Sequence, residues 1–442
     1  MGQVMKMPET STPRESIIEK MNGMRSGDAN WKDGRTWSLV YYAGEEIYGL
    51  LKDAYTMFMS ENGLNPMAFP SLKQFENEVV AMTADMLGGD SDVAGTMTSG
   101  GTESILLVVR TARDWARAEK PHIAKPEMIL PVTAHPAFEK AAKYFDVTPV
   151  RIPIRDDFRA DVAAAREAIN ENTIMMVGSA PCYPYGVVDP IGELAETAQA
   201  RGLWFHVDSC LGGFMLPFVR KLGYPVPDFD FRVPGVASIS ADIHKYGYAA
   251  KGASTILYRN KDLRRYQFTV FTEFPGGVYI SPTMAGTRPG GAIAAAWAVM
   301  KHLGEEGYLK LARKVMDTTR ELMDGVRSIP ELYILGEPHM SVFAFASDEI
   351  DVYALGDAME ARGWFLDRQQ NPASLHMMVT PAHEHIAEKY VGDLRDAVKD
   401  VLSGKFKSDG GSAAMYGMMA SIPDRGMIKT FVLDLMDNLT TL

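Results

Sequence analysis

Residues 174–208 read IMMVGSAPCYPYGVVDPIGELAETAQARGLWFHVD. A short apolar run, IMMVG, is followed by turn residues, then by the amphipathic stretch IGELAETAQA, then by a second apolar run, LWFHV. A strand, a helix and a strand in that order form the unit from which parallel sheets are built. The pattern continues outward in both directions. MILPV (128–132) and VTPVRI (147–152) precede it, VASIS (236–240) and STILY (254–258) follow it, and DVAAAREAI (161–169) supplies another helix. Strands that are apolar along their whole length are buried on both faces. The expectation is therefore an α/β protein with a mostly parallel central sheet and helices on both faces. Functional residues then belong at the carboxyl ends of strands.

Beyond a long helical region at 291–328 the order changes to LYILG, SVFAFAS, DVYALGDAMEARG, LHMMVTP and HIAEKYVGDLRDAVKDVL. This reads as strand, strand, helix, strand, helix, a smaller C-terminal α+β domain. The chain divides into an N-terminal segment (1–74), a large domain (75–305), and a small domain with its interdomain helix (306–442). The compact part is expected to begin near Trp31. SDGGSAA (408–414) reads as a flexible connection to a last helical piece.

Of 442 residues, 46% are hydrophobic and 23% charged, enough to bury a large core. The formal net charge of −11 argues against nucleic acid or an anionic membrane as partner. Any anionic ligand must find locally gathered cations. The two cysteines, Cys182 and Cys210, are too few for a disulfide framework and point to the cytoplasm. The N-terminal stretch lacks the apolar core of a signal peptide. The most apolar windows, such as AIAAAWAVM (292–300), are far shorter than the roughly 20 residues of a membrane span. No metal site is expected: the two histidines of HEH (383–385), two apart on a helix, would point to different faces.

Three features carry chemistry. TSGGTESILLVVRTARDWA begins with small residues and continues with helical periodicity, so Gly100, Gly101 and Thr102 open a helix. Bare N–H groups and the helix dipole make such a start a phosphate site. Asp208 directly follows the strand LWFHV. Lys245 follows VASIS by a few residues, within SADIHKYGYAAKG (240–252). Taken singly, each has an ordinary reading as a cap, a turn or a solvated loop. Together, a phosphate cradle, a strand-end carboxylate and a strand-end lysine are what a pyridoxal 5'-phosphate (PLP) site requires.

The segments TSGGTES, TAHPAFEKAAKYF, HVDSCLGGF, SISADIHKYGYAAKG, GGVYISPTMAGTRPGG and MYGMMAS resemble the sphingosine-1-phosphate lyases, soluble bacterial type, from about residue 40 to about 425. NPMAFP and AGTRPG separate that family from the wider group of PLP-dependent decarboxylases. The resemblance implies a PLP-dependent enzyme of fold type I. It implies that Lys245 holds the cofactor covalently, that Asp208 partners the ring nitrogen, and that His135 stacks on the ring. Gly101, Thr102 and His244 would hold the cofactor phosphate. It also implies a homodimer with shared sites, in which Gly286 and Thr287 complete the partner's phosphate site, with Arg288 a weaker candidate.

Lys251 is then left for a second anion, the phosphate of the substrate. Tyr183 and Tyr185 in PCYPYG, and Tyr41, are candidates to donate or accept protons. The chain departs from the animal members, which carry Phe and His in place of Tyr183 and Tyr185, and His in place of Asn65. The implied reaction is retro-aldol cleavage of a phosphorylated long-chain base to a long-chain aldehyde and phosphoethanolamine. An amino-acid decarboxylase is the first alternative, and a PLP-binding protein without catalysis the second.

Overall fold

The computed structural model describes residues 6–406, 422 and 424–440. SDGGSAA and MYGMMAS lie outside the described residues.

The large sheet has seven strands: β1 (Ala94–Thr98), β2 (Glu127–Pro131), β3 (Thr148–Ile152), β4 (Thr173–Ser179), β5 (Trp204–Asp208), β6 (Ser238–Ala241) and β7 (Ser254–Tyr258). They lie in the order β1-β7-β6-β5-β4-β2-β3. From β6 to β3 all neighbours run parallel. β7 is antiparallel to both β6 and β1. The parallel strands are those expected from the apolar runs, and β1 is an addition. Its sequence, AGTMT, has only one large apolar residue to announce a strand, and register against β7 holds it in place.

Alternate side chains feed two cores. Met175, Val177 and Trp204 pack with the helices Gly101–Glu119 and Ala137–Phe145 on one face. Met176, Phe205 and Val207 pack on the other, with Ile191, Leu194 and Ala198 of the helix Ile191–Ala200. Full burial of such side chains stabilises by about 1.5–3 kcal/mol each. The layer order places the carboxyl ends of β2, β4, β5 and β6 along one rim.

After β7 comes a small hairpin, β8 (Thr269–Phe271) with β9 (Tyr279–Ser281), whose apolar residues are largely exposed. The long helix Gly290–Arg327 is interrupted at Gly304, where φ 53° and ψ −170° leave helical space. A second, wholly antiparallel sheet follows in the order β10-β11-β13-β12, from β10 (Tyr333–Ile334), β11 (Val342–Ala346), β12 (Asp367–Gln370) and β13 (Ala373–Met378). This is the smaller C-terminal domain. It has one strand more than expected, because β12 reads DRQQ and carries no apolar signal. At the N-terminus the helix Arg14–Arg25 buries no residue, and Trp31 is the first of the described residues that is not exposed.

Candidate active site

A cavity of about 380 Å³ opens at the carboxyl ends of the parallel strands. Seven of the singled-out residues line it: Tyr41, His135, Tyr183, Asp208, His244, Lys245 and Lys251. They arrive from five places, His244, Lys245 and Lys251 sharing the loop between β6 and β7. His135 follows β2, Tyr183 follows β4, Asp208 ends β5, and Lys245 follows β6 by one turn. Tyr41 comes from the N-terminal segment, 142 residues before Tyr183, the next tyrosine of the site.

Asp208 is buried, and its Oδ1 accepts from the Cys210 N–H (3.1 Å) and the Ser240 hydroxyl (3.2 Å). Behind it runs a chain of polar groups that the sequence reading missed. The Trp204 Nε1–H donates to Ser238 Oγ (2.8 Å), which sends its own proton to His206 Nδ1 (2.9 Å). That leaves the proton of His206 on Nε2, facing Ser240 Oγ at 3.3 Å, so Ser240 is free to donate to Asp208. Burial lowers the His206 pKa to about 4, so the ring is neutral and fixed in one tautomer.

Lys245 Nζ lies 3.0 Å from Asp242 Oδ2, and His244 Nε2 lies 3.6 Å from the same oxygen. Burial works against both charges of the close pair, and each outweighs it for the other. Lys245 and His244 hold the Asp242 carboxyl well below the usual carboxylate range, and Asp242 holds the Lys245 ammonium above the usual lysine range. His244 Nδ1 accepts from the Ala253 N–H (3.2 Å), which turns Nε2 inward. His135 Nδ1 accepts from the Ala137 N–H (3.2 Å), and burial lowers its pKa, so it presents a neutral ring.

Lys251 stands at the mouth. Its Nζ lies 5.0 Å from the centre of the Tyr41 ring and 3.4 Å from the His244 carbonyl. The ammonium opens to solvent, yet the surrounding apolar walls and the nearby Lys245 push its pKa down to about 8. Tyr41, His244 and Lys251 also border an adjoining groove of about 440 Å³ walled by Trp31, Tyr48, Tyr55 and Tyr248.

The helix Gly101–Glu119 starts beside this cluster. A Cβ on Gly101 would fall 2.8 Å from both Asp242 Oδ2 and Cys210 Sγ, and one on Gly100 would lie 3.2 Å from His244 Cε1. Neither position admits a side chain without movement, so bare backbone faces the site. Thr133 Oγ1, on the cavity wall, and Asp242 Oδ1 are buried without a hydrogen-bond partner in the chain.

The pyridoxal-dependent decarboxylase conserved domain matches residues 4–347. Sphingosine-1-phosphate lyase of Arabidopsis thaliana is 47% identical over 430 residues, covering 96% of this chain and 79% of that protein. Sphingosine-1-phosphate lyase 1 of Rattus norvegicus is 41% identical over 439 residues, covering 99% and 77%. The chain belongs to the sphingosine-1-phosphate lyases. The solved structure of the Burkholderia pseudomallei K96243 member matches with a TM-score of 0.91 at 40% identity, over 100% of this chain and 98% of that one.

For a PLP-dependent lyase the residues fit the cofactor. A lysine, a buried carboxylate with its own hydrogen-bond support and the unpaired Thr133 hydroxyl line one cavity, and a helix start cleared of side chains lies beside it, though Gly101 and Thr102 do not themselves line it. Other residues expected at the site fall elsewhere. Gly286 and Thr287 do not line this cavity, and Thr287 is exposed and bonded to Asn62 (3.3 Å). Arg288 has no charge to lend a phosphate, because its guanidinium grips Glu76 at 2.6 and 2.9 Å and the Gly63 carbonyl at 2.8 Å. Tyr185 donates to the Asn371 carbonyl (2.5 Å), away from the cavity. Both cysteines are buried thiols: burial raises Cys182 to about 12, and burial with Asp208 and Asp242 raises Cys210. His383 is buried and stacked on Trp37 at 4.3 Å, while His385 is exposed. Among the described residues no group of three metal-binding side chains gathers, and no helix is long and apolar enough to cross a membrane.

Proposed function

We propose that this chain cleaves phosphorylated long-chain 2-amino-3-hydroxy bases, sphingosine 1-phosphate among them, to a long-chain aldehyde and phosphoethanolamine. The observation that carries the reading is the meeting of Lys245, Asp208 and His135 in one cavity with Lys251 at its mouth. Three groups serve the cofactor, and one cation is left for an anionic substrate.

Bound there, PLP supplies an electron sink for the pair released when the C2–C3 bond of the substrate breaks. Lys245 would hold the cofactor covalently. Asp208, fixed by the Cys210 N–H and Ser240, keeps a negative charge where the ring nitrogen must stay protonated. His135 lays a neutral ring against the cofactor. Gly101, Thr102 and His244 take the cofactor phosphate at the helix start. The free Lys245 ammonium, held beside Asp242, would be the group that returns a proton to C2. Lys251 holds the phosphate of the substrate.

The same reading makes the protein a homodimer whose Gly286 and Thr287 complete the partner's phosphate site. In support, Val270, Phe271, Phe274, Val278 and Ile280 leave an apolar patch exposed around β8 and β9, next in sequence to that loop. The division at 305/306 is supported by the break at Gly304. Two buried, unpaired thiols suit a cytoplasmic setting.

Aldehyde release should be measured with phosphorylated and unphosphorylated long-chain bases. Cleavage of the first, and far slower cleavage of the second, supports the reading. Carbon dioxide release from amino acids with no aldehyde from either base overturns it.

A further inference from the structure

Cleavage between C2 and C3 turns the C3 hydroxyl of the substrate into an aldehyde carbonyl, so its proton must go to a base. Two tyrosines face the cavity, and a neutral phenol cannot take a proton unless it gives its own away. The two differ in where that proton can go. The Tyr41 hydroxyl points at Met378 Sδ (3.3 Å), a thioether that accepts weakly and cannot hold a proton. Burial, with Asp242, Tyr183 and Asp367 nearby, pushes the Tyr41 hydroxyl well above its ordinary range, so it keeps its own proton and has no room for another. Tyr183 instead donates to Asp367 Oδ2 at 3.1 Å, and both residues line the cavity.

Resting on the lyase reading, we propose that Tyr183 accepts the C3 hydroxyl proton while passing its own to Asp367, and that Asp367 of the small domain is thereby the terminal base of bond cleavage. As the C2–C3 pair departs onto C2, the O–H pair of C3 becomes the carbonyl π bond. One proton moves from C3–O to Tyr183 Oη and another from Tyr183 Oη to Asp367 Oδ2, so charge and atoms balance. Tyr183 is the catalytic residue, and Asp367 the positioning residue behind it.

His376 completes the arrangement. It is fully buried, and its ring stacks on Tyr183 with centroids 4.2 Å apart. Its Nε2 donates to the Tyr183 carbonyl (2.8 Å), which leaves Nδ1 without its proton. That nitrogen has no hydrogen-bond partner and lies 4.0 Å from Asp367 Oδ2. A buried, bare acceptor beside a carboxylate is poorly satisfied while the carboxylate is ionised. When Asp367 carries the proton, a small shift that closes the 4.0 Å gap would give this atom a donor, so the orphan nitrogen favours the state that cleavage creates.

The test uses the PLP-loaded enzyme with phosphorylated base. Asp367→Asn keeps the shape and removes the acceptor; kcat should fall roughly 10²–10⁴-fold, the usual worth of a proton-transfer group. KM and the absorption spectrum of the bound cofactor should stay as in wild type. Formate should restore part of the rate to Asp367→Ala and none to Tyr183→Phe. The double variant Asp367→Asn/Tyr183→Phe should be about as slow as the slower single, because the two act as a unit. If wild type cleaves the base and Asp367→Asn does so at an undiminished rate, Asp367 is not the base. Multiplying effects in the double variant, or no formate rescue in a folded Asp367→Ala, overturns the relay as well. Failure of wild type to release aldehyde overturns the lyase reading itself.

Discussion

Lys245 and Lys251 lie six residues apart and meet opposite fates. The first is clasped by a buried carboxylate 3.0 Å away; the second stands over a tyrosine ring with its pKa pushed down to about 8. Lys245→Ala should abolish turnover, and borohydride treatment of the wild type should fix the cofactor on the peptide containing residue 245; mapping to another lysine sinks the assignment. Lys251→Ala should cost about tenfold to more than a hundredfold in kcat/KM for the phosphorylated base, the worth of one charged hydrogen bond to a dehydrated phosphate. Its ammonium loses its proton as pH rises through about 8, so kcat/KM, which reports the free enzyme, should decline on that alkaline side. In Lys251→Ala that limb should vanish; an unchanged profile would mean that another group titrates there. Asp208 and Lys245 were legible because strand ends flag them locally, and His135 only through the resemblance of TAHPAF. Asp367 and His376 were not: they reach Tyr183 across 184 and 193 residues. Nothing local in DRQQ or SLHMM reports such a meeting.

At the scale of elements, what the chain announces is burial. The parallel strands are continuous apolar runs and were found to within two residues of their ends, whereas β1, β12 and the β8–β9 hairpin are short, polar or exposed and were missed. Likewise, Gly100 and Gly101 could be read as an ordinary helix start. Only packing shows that the position is closed to side chains, with Asp242 and Cys210 both 2.8 Å from where a Cβ would sit. Gly101→Ala therefore has to displace a buried carboxylate that holds Lys245, and overpacking of this kind costs about 1–3 kcal/mol. Titration of the cofactor-free variant with PLP should show roughly tenfold or more weaker binding, with secondary structure by circular dichroism unchanged. Wild-type affinity would mean that the cradle yields more easily than its neighbours suggest. Ser240→Ala should act more mildly. It removes one of the two donors to Asp208 Oδ1, and a few-fold to tenfold loss of kcat corresponds to about 1 kcal/mol. An effect near zero would show that the Trp204–Ser238–His206 chain contributes nothing to the carboxylate.

The whole molecule poses the question of assembly, and the loop at 282–290 frames it. The loop is firmly held: Glu103 accepts the Met284 N–H (2.9 Å), Asn62 bonds Thr287 and the Arg288 N–H, and Arg288 grips Glu76. So much anchoring of a segment that ends in an exposed threonine, outside its own chain's cavity, is best explained if it presents Thr287 to something else. The exposed apolar side chains of the neighbouring hairpin offer the surface on which a second copy would sit. Light scattering should give twice the mass of one chain. Lys245→Ala and a variant with a bulky residue at Thr287 should each be inactive alone. In a randomly reassembled mixture half the dimers are mixed, and each mixed dimer has one site with an intact lysine and an intact partner threonine. About a quarter of wild-type activity should return, as the two-fold arrangement requires. If mixed dimers form and no activity returns, each site is built from one chain, and the loop serves only to brace the helix start through Glu103.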